Sequence, residues 1–176
     1  LHASRVESLK IVMITSAGQG EGKTSLAGHL ATSLARAGRR TLLVDCDLRR
    51  PTIHRLFDEP IDPGLSELLR GEISVMEAVR QGPTSELSVV TAGRADEIAM
   101  QYLGQDRVRE IFDEWRTNFE FVIVDTPPVL PVADALFLSQ HVDGVLFAIL
   151  RDVSRVPQVQ AAYERLLRLG VRMLGV

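Results

Sequence analysis

The sequence predicts an α/β fold in which a mostly parallel central sheet is flanked by helices on both faces. Three observations predict it. Short apolar runs rich in Val, Ile and Leu recur without polar alternation, the pattern of strands buried on both faces. Segments of helical period separate these runs, and the connections between them are short. Acidic residues stand at the ends of apolar runs, where open sheets of this kind keep their ligands.

The first run, Ile11–Thr15, predicts a strand that leads into "SAGQGEGKTSLAGHL". Within it, Ala17–Thr24 fits the phosphate-loop pattern [AG]-x-x-x-x-G-K-[ST], with Ala in the first place. Gly18, Gly20 and Gly22 let the backbone turn tightly and aim its N–H groups at phosphate oxygens. The helix that follows adds the positive end of its dipole. In this pattern Lys23 reaches the β- and γ-phosphates, and Thr24 offers its hydroxyl to Mg²⁺. The predicted nucleotide contacts are Gly18, Gln19, Gly20, Glu21, Gly22, Lys23, Thr24 and Ser25. Average residue usage gives a chance match in a chain this long odds of about one in a hundred. Leu26, Leu30 and Leu34 form the apolar stripe of this first helix, and Gly38 ends it.

A second strand, Thr41–Val44, runs into "DCDLRR". Acids at the end of a buried strand are costly unless they are paired, hydrogen-bonded or facing a metal. Asp45 and Asp47 occupy that position here, and Asp125 occupies it after "FVIV". A nucleoside triphosphate brings Mg²⁺, which prefers carboxylate and water oxygens. Asp45, Asp47 and Asp125 are therefore candidates to hold the ion, its waters or a reacting hydroxyl. The alternative for any one of them is to cap a helix or to pair with Arg49 or Arg50. Those two arginines either pair with the neighbouring acids or help neutralise phosphates.

Further strands are predicted at Leu87–Thr91, Phe121–Val124, Gly144–Leu150 and Arg172–Val176. Val108, Ile111, Phe112 and Trp115 form one helical stripe; Val156, Val159, Tyr163 and Leu166 form another, which Gly170 ends. Pro131 and Asp134 mark the first turn of a helix, with the acid at its positive end.

The chain has 176 residues, 45% of them hydrophobic, which suits a single domain spanning residues 1–176 around one core. It lacks an initiating Met and stops inside "VRMLGV", so a piece of a longer protein is expected. A net charge of −3 gives no reason to expect nucleic acid as a partner. Cys46 stands alone, excludes an internal disulfide and reads as a small buried residue. No apolar run approaches membrane-spanning length. His29 reads as solvated, and His54 and His141 have no partner at zinc-ligand spacing.

"TSAGQGEGKTS", "LLVDCDLRRP" and "FEFVIVDTPPVLPVADALFLS" together resemble the cytoplasmic domain of bacterial tyrosine kinases, the capsular and exopolysaccharide chain-length regulators. The family signatures correspond to a Walker A at Ala17–Thr24, a Walker A′ at Leu42–Arg49 and a Walker B at Val122–Pro128. The resemblance implies a P-loop NTPase-type fold and an ATP- and Mg²⁺-dependent protein-tyrosine kinase, with possible ATPase activity. It implies that Lys23 and the loop amides bind phosphates, that Thr24 ligates Mg²⁺, and that Asp47 and Asp125 hold the ion directly or through water. Asp45 is the implied base for the tyrosine hydroxyl, and Lys23, Asp45, Asp47 and Asp125 make up the catalytic set. The implied partners are ATP and ADP, protein tyrosine substrates including a tail in trans, a membrane activator or fused membrane domain, and further copies in a homo-oligomer. The implied location is cytoplasmic, at the inner face of the plasma membrane.

The chain departs from the family in having Gln19 where Pro is usual and "AGRADEIAMQYL" where a P-P-N-P stretch is common. Its two tyrosines, Tyr102 and Tyr163, both read as packed. Two rival functions share these motifs: a deviant-Walker partition or cell-division ATPase, and a non-catalytic module whose assembly answers to ATP. The partition group carries a second lysine where this chain has Gly18, which argues against it.

Overall fold

The computed structural model describes residues 9–176. Seven strands form one sheet: β1 (Ile11–Ser16), β2 (Thr41–Asp45), β3 (Arg80–Gln81), β4 (Leu87–Val90), β5 (Phe121–Asp125), β6 (Gly144–Ala148) and β7 (Met173–Gly175). Their order is β3-β4-β2-β5-β1-β6-β7, and all neighbours are parallel except β3 with β4. The helices are α1 (Lys23–Arg36), α2 (Ile53–Leu56), α3 (Leu65–Arg70), α4 (Val75–Ala78), α5 (Glu97–Tyr102), α6 (Asp106–Asn118), α7 (Asp134–Leu138) and α8 (Val156–Arg168).

Side chains that alternate along a strand point to opposite faces, and here both faces are covered. Ile11 and Met13 of β1 join Leu42, Val44, Val122 and Val124 in a core shared with α3, α6 and α8. Val12 and Ile14 join Leu43, Ile123, Leu87 and Val89 on the other face, against α1. The expected sandwich of helix, sheet and helix is therefore present.

Several expectations need correction. The buried stripe of α1 is Ala27, Ala31 and Ala35 with Gly28, while Leu26 is 39% exposed. Small residues let this helix lie close to the sheet, and Leu30 and Leu34 fill its flanks, partly buried. The strand read as Gly144–Leu150 stops at Ala148, because Ile149 and Leu150 turn outward into an exposed loop. In α8 the buried residues are Ala162 and Leu166, while Val156 is exposed and Tyr163 half-buried. The stripe of Val108, Ile111, Phe112 and Trp115 is buried as expected. Gly38 and Gly170 sit just past the ends of α1 and α8 with φ of +77° and +72°, the left-handed closure expected of them.

The register fixes the site. Asp45 ends β2 directly beside Asp125, which ends β5, and β1 on the far side of β5 delivers the phosphate loop to the same rim.

Candidate active site

The loop is built by left-handed turns at Gly20 (φ +75°) and Gly22 (φ +81°), which a side chain would strain. Gly22 is the N-cap of α1, and no side chain caps that helix. Its first-turn N–H groups thus remain available to an anion. Gly18 is not left-handed; its N–H instead donates to Glu21 Oε2 at 2.6 Å, and the Ser16 hydroxyl donates to the Gly18 carbonyl at 2.7 Å. Glu21 was expected only as a loop amide. Its side chain is buried and braces the loop from within.

Lys23 Nζ meets Asp47 Oδ2 at 3.0 Å, and both side chains are largely buried. The Thr24 hydroxyl donates to Asp125 Oδ2 at 2.6 Å. Asp125 Oδ1 is buried and has no hydrogen-bond partner among the described residues. Such an orphan oxygen is rare in a folded protein, and at a functional site it asks for an ion or water. Burial pushes the Asp125 carboxyl up to about 6, although Lys23 and the Thr24 hydroxyl pull the other way.

Asp45 is fully buried. Its Oδ2 accepts from the Thr52 and Ile53 amides, each at 2.9 Å, and its Oδ1 accepts from the Asp47 amide at 3.2 Å. It therefore caps the start of α2, one of the alternatives open to it from sequence. Burial, followed by the charge of Asp125, raises its pKa to about 7 despite those amides. The acids expected together do converge: Asp45 and Asp125 side by side, Asp47 on the loop lysine.

A cavity of about 310 Å³ lies over the loop, walled by Gln19–Ser25, Asp47, Arg49, Arg50, Thr52, Pro127–Pro128 and Pro131–Val132. Asp45 and Asp125 do not line it. Among the described residues no group of three or more His, Cys, Asp and Glu side chains forms a metal cage. Mg²⁺ needs none, because it binds through one or two carboxylates plus phosphate oxygens and water. The unpartnered Asp125 Oδ1, with the Thr24 hydroxyl on its sister oxygen, fits that ion.

Sequence reasoning missed three contacts. Arg49 forms a fork with Asp134, Nε to Oδ2 at 2.7 Å and Nη2 to Oδ1 at 3.2 Å, across 85 residues. Arg50 Nη1 donates to Gln19 Oε1 at 2.6 Å. Thr52, which no motif marks, lines the cavity and gives Asp45 its amide. Elsewhere, His29 is exposed, and Cys46 is fully buried with its thiol pushed up by burial. Tyr102 and Tyr163 are both half-buried.

The family model described as "AAA domain" matches residues 9–149. Tyrosine-protein kinase YwqD of Bacillus subtilis is 36% identical over 173 residues, covering 98% of this chain and 73% of YwqD. The kinase domain of the Escherichia coli tyrosine kinase ETK superposes with a TM-score of 0.93 at 31% identity, covering 99% of this chain and 69% of that one. The septum site-determining protein MinD of Pyrococcus horikoshii, complexed with Mg-ADP, superposes with a TM-score of 0.81 at 20% identity, covering 94% of this chain and 68% of that one. At that identity the likeness to MinD is one of fold alone.

Proposed function

The chain belongs to the AAA domain family and, within it, to the bacterial tyrosine-protein kinases, and from that premise we propose that it transfers the γ-phosphate of ATP to tyrosine at the rim where β2 and β5 end. One observation carries the assignment of residues. Asp125 offers a buried, unpartnered oxygen beside the Thr24 hydroxyl, one strand away from a second buried carboxylate and at the foot of an uncapped phosphate loop.

In this reading the amides of Gln19–Ser25 and Lys23 hold the phosphates, while the Gly18 amide, taken by Glu21, braces the loop, and Thr24, Asp47 and Asp125 hold Mg²⁺. When bound, Mg²⁺ neutralises charge on the β- and γ-phosphates. Asp45 accepts the proton of the incoming tyrosine. A carboxylate near its ordinary pKa is a poor base for a phenol of pKa about 10. Burial that lifts Asp45 to about 7 narrows that mismatch and supports the assignment.

The same reading puts the domain at the inner face of the plasma membrane, acting in a homo-oligomer on tyrosines that include a tail in trans. A membrane activator or fused membrane domain would govern it, in the control of capsular or exopolysaccharide synthesis. No helix among the described residues is long and apolar enough to cross a membrane, so the reading assigns attachment to a partner or a further segment.

The test is to incubate the purified chain with labelled ATP, Mg²⁺ and a tyrosine-rich acceptor. Label on tyrosine is expected. Label released only as free phosphate would reassign the chain to the ATPases, and intact ATP with a changed oligomer size would make it a sensor.

A further inference from the structure

Among the described residues three cations line the nucleotide cavity: Lys23, Arg49 and Arg50. Two are committed to carboxylates. Lys23 is held by Asp47 and Arg49 by Asp134, whose side chain is itself buried. Breaking the second pair would strand a buried charge, so Arg49 is fixed as a strut between the two loops.

Arg50 differs. Among the described residues its guanidinium pairs with no carboxylate and donates instead to the neutral amide of Gln19, a member of the phosphate loop itself. Its backbone is anchored, since the Arg50 N–H donates to Asp47 Oδ1 at 3.0 Å. The side chain is exposed and lines the cavity. A full positive charge is thus carried beside the phosphates with most of its five donors uncommitted.

The charge balance asks for such a group. A triphosphate meets Asp47 and Asp125 at this rim, and Lys23 with one Mg²⁺ ion does not balance that much negative charge. As the γ-phosphoryl group transfers, negative charge spreads over its equatorial oxygens and onto the leaving oxygen, and added cations stabilise that state.

We propose that Arg50 is a catalytic residue of the transfer, an arginine supplied in cis whose guanidinium donates to the γ-phosphate oxygens, and that Gln19 is its positioning residue. This rests on the kinase reading above. In the step, the tyrosine oxygen forms a bond to Pγ while the bond from Pγ to the β–γ bridging oxygen breaks. The electron pair of the broken bond stays on ADP, and the phenolic proton passes to Asp45. Arg50 keeps all its protons and changes only what its N–H groups face. Gln19, which stands where the family usually has Pro, acquires a purpose: its amide holds the arginine at the loop.

The experiment compares wild type, Arg50→Gln, Arg50→Lys and Gln19→Ala. Calorimetry with Mg²⁺ gives the affinity for ADP alone and for ADP with aluminium fluoride, which mimics the transferring phosphoryl group. Steady-state kinetics on a glutamate–tyrosine copolymer gives kcat and KM for ATP. Arg50→Gln is expected to lose on the order of 10²–10³ in kcat and a similar factor in the preference for the fluoride complex over ADP. KM for ATP and ADP affinity should stay within about threefold, the pattern of a contact made only in the transition state. Arg50→Lys should recover part of the loss, and Gln19→Ala should lose about three- to tenfold by the same measure. An unchanged fluoride-to-ADP preference in Arg50→Gln overturns the proposal, as does an equal loss for both ligands. Should wild type label no tyrosine, the kinase reading fails, and the fluoride-to-ADP ratio still judges Arg50.

Discussion

Buried carboxylates meet opposite treatment in two parts of this molecule. At the nucleotide rim, Asp45 and Asp125 are lifted to about 7 and about 6, and one oxygen of Asp125 has no partner. Beside β4, Glu67 is nearly as buried but fully answered: its Oε2 accepts the Gly64 amide at 2.7 Å, and its Oε1 accepts the Arg94 amide and Arg70 Nη2, each at 3.0 Å. Burial pushes the Glu67 carboxyl up, yet those bonds outweigh it and hold the group below its ordinary value. Asp143 behaves like Glu67, with the amides of Lys10 and Ile11 and the Arg116 guanidinium overcoming its burial. A carboxylate supplied with every partner it needs is a rivet. Asp125, left one partner short, is open to a cation in the proposed reading, whereas Asp45 is marked by its raised pKa and not by a missing partner.

The contrast can be broken at its strongest point first. Lys23→Met should reduce nucleotide-dependent phosphotransfer to background, because in the proposed reading Lys23 is the side chain that holds the β- and γ-phosphates; a labelled-ATP assay reads this directly. Asp45→Asn should cut kcat about 10²-fold or more while ATP affinity moves only a few-fold, as befits a base rather than a ligand. Equal losses in both would move Asp45 to the metal. Glu67→Ala should instead leave the ATP affinity of the folded protein unchanged. It should cost about 2 kcal/mol in urea unfolding, somewhat less than a broken buried pair, because Arg70 keeps Glu72 and Asp96.

The smallest effect is the most diagnostic. A buried acid whose pKa is raised binds a proton in the folded state that the unfolded chain has already released. Asp45 therefore makes stability fall as pH rises from about 4 to about 7, and the fall levels off above that. Glu67 and Asp143 act with the reverse sign, adding stability that is present above their ordinary values and lost as pH falls through their lowered ones. Melting temperature followed against pH should show the first slope flattened in Asp45→Asn and the acid-side loss retained.

Much of this was legible in the sequence, for physical reasons. Strands buried on both faces must be continuously apolar, and β1, β2 and β5 could be read directly. The phosphate loop and the terminal acids are set by local spacing, so Lys23, Thr24, Asp45 and Asp125 converge as expected. The face of α1 was misread because leucines outweigh alanines in any apolar count, whereas close approach to the sheet demands the smaller side chain. The Arg49–Asp134 fork has no local signal at all. Asp134 looks like an ordinary first-turn acid until α7 is folded against the second motif. Gln19 was legible as a loop position facing the nucleotide and as a departure from the family, but its bond to Arg50 was not, since an amide's partner cannot be read from a loop sequence.

The pairing of Lys23 with Asp47 carries a consequence for order of arrival. If Asp47 holds the ion as proposed, a bare divalent ion reaching this rim would have to displace the ammonium group that already neutralises that oxygen. A triphosphate offers the lysine somewhere better to go and escorts the ion in the same event. The enzyme should thus take up its metal as a passenger of the nucleotide, showing little appetite for the free ion.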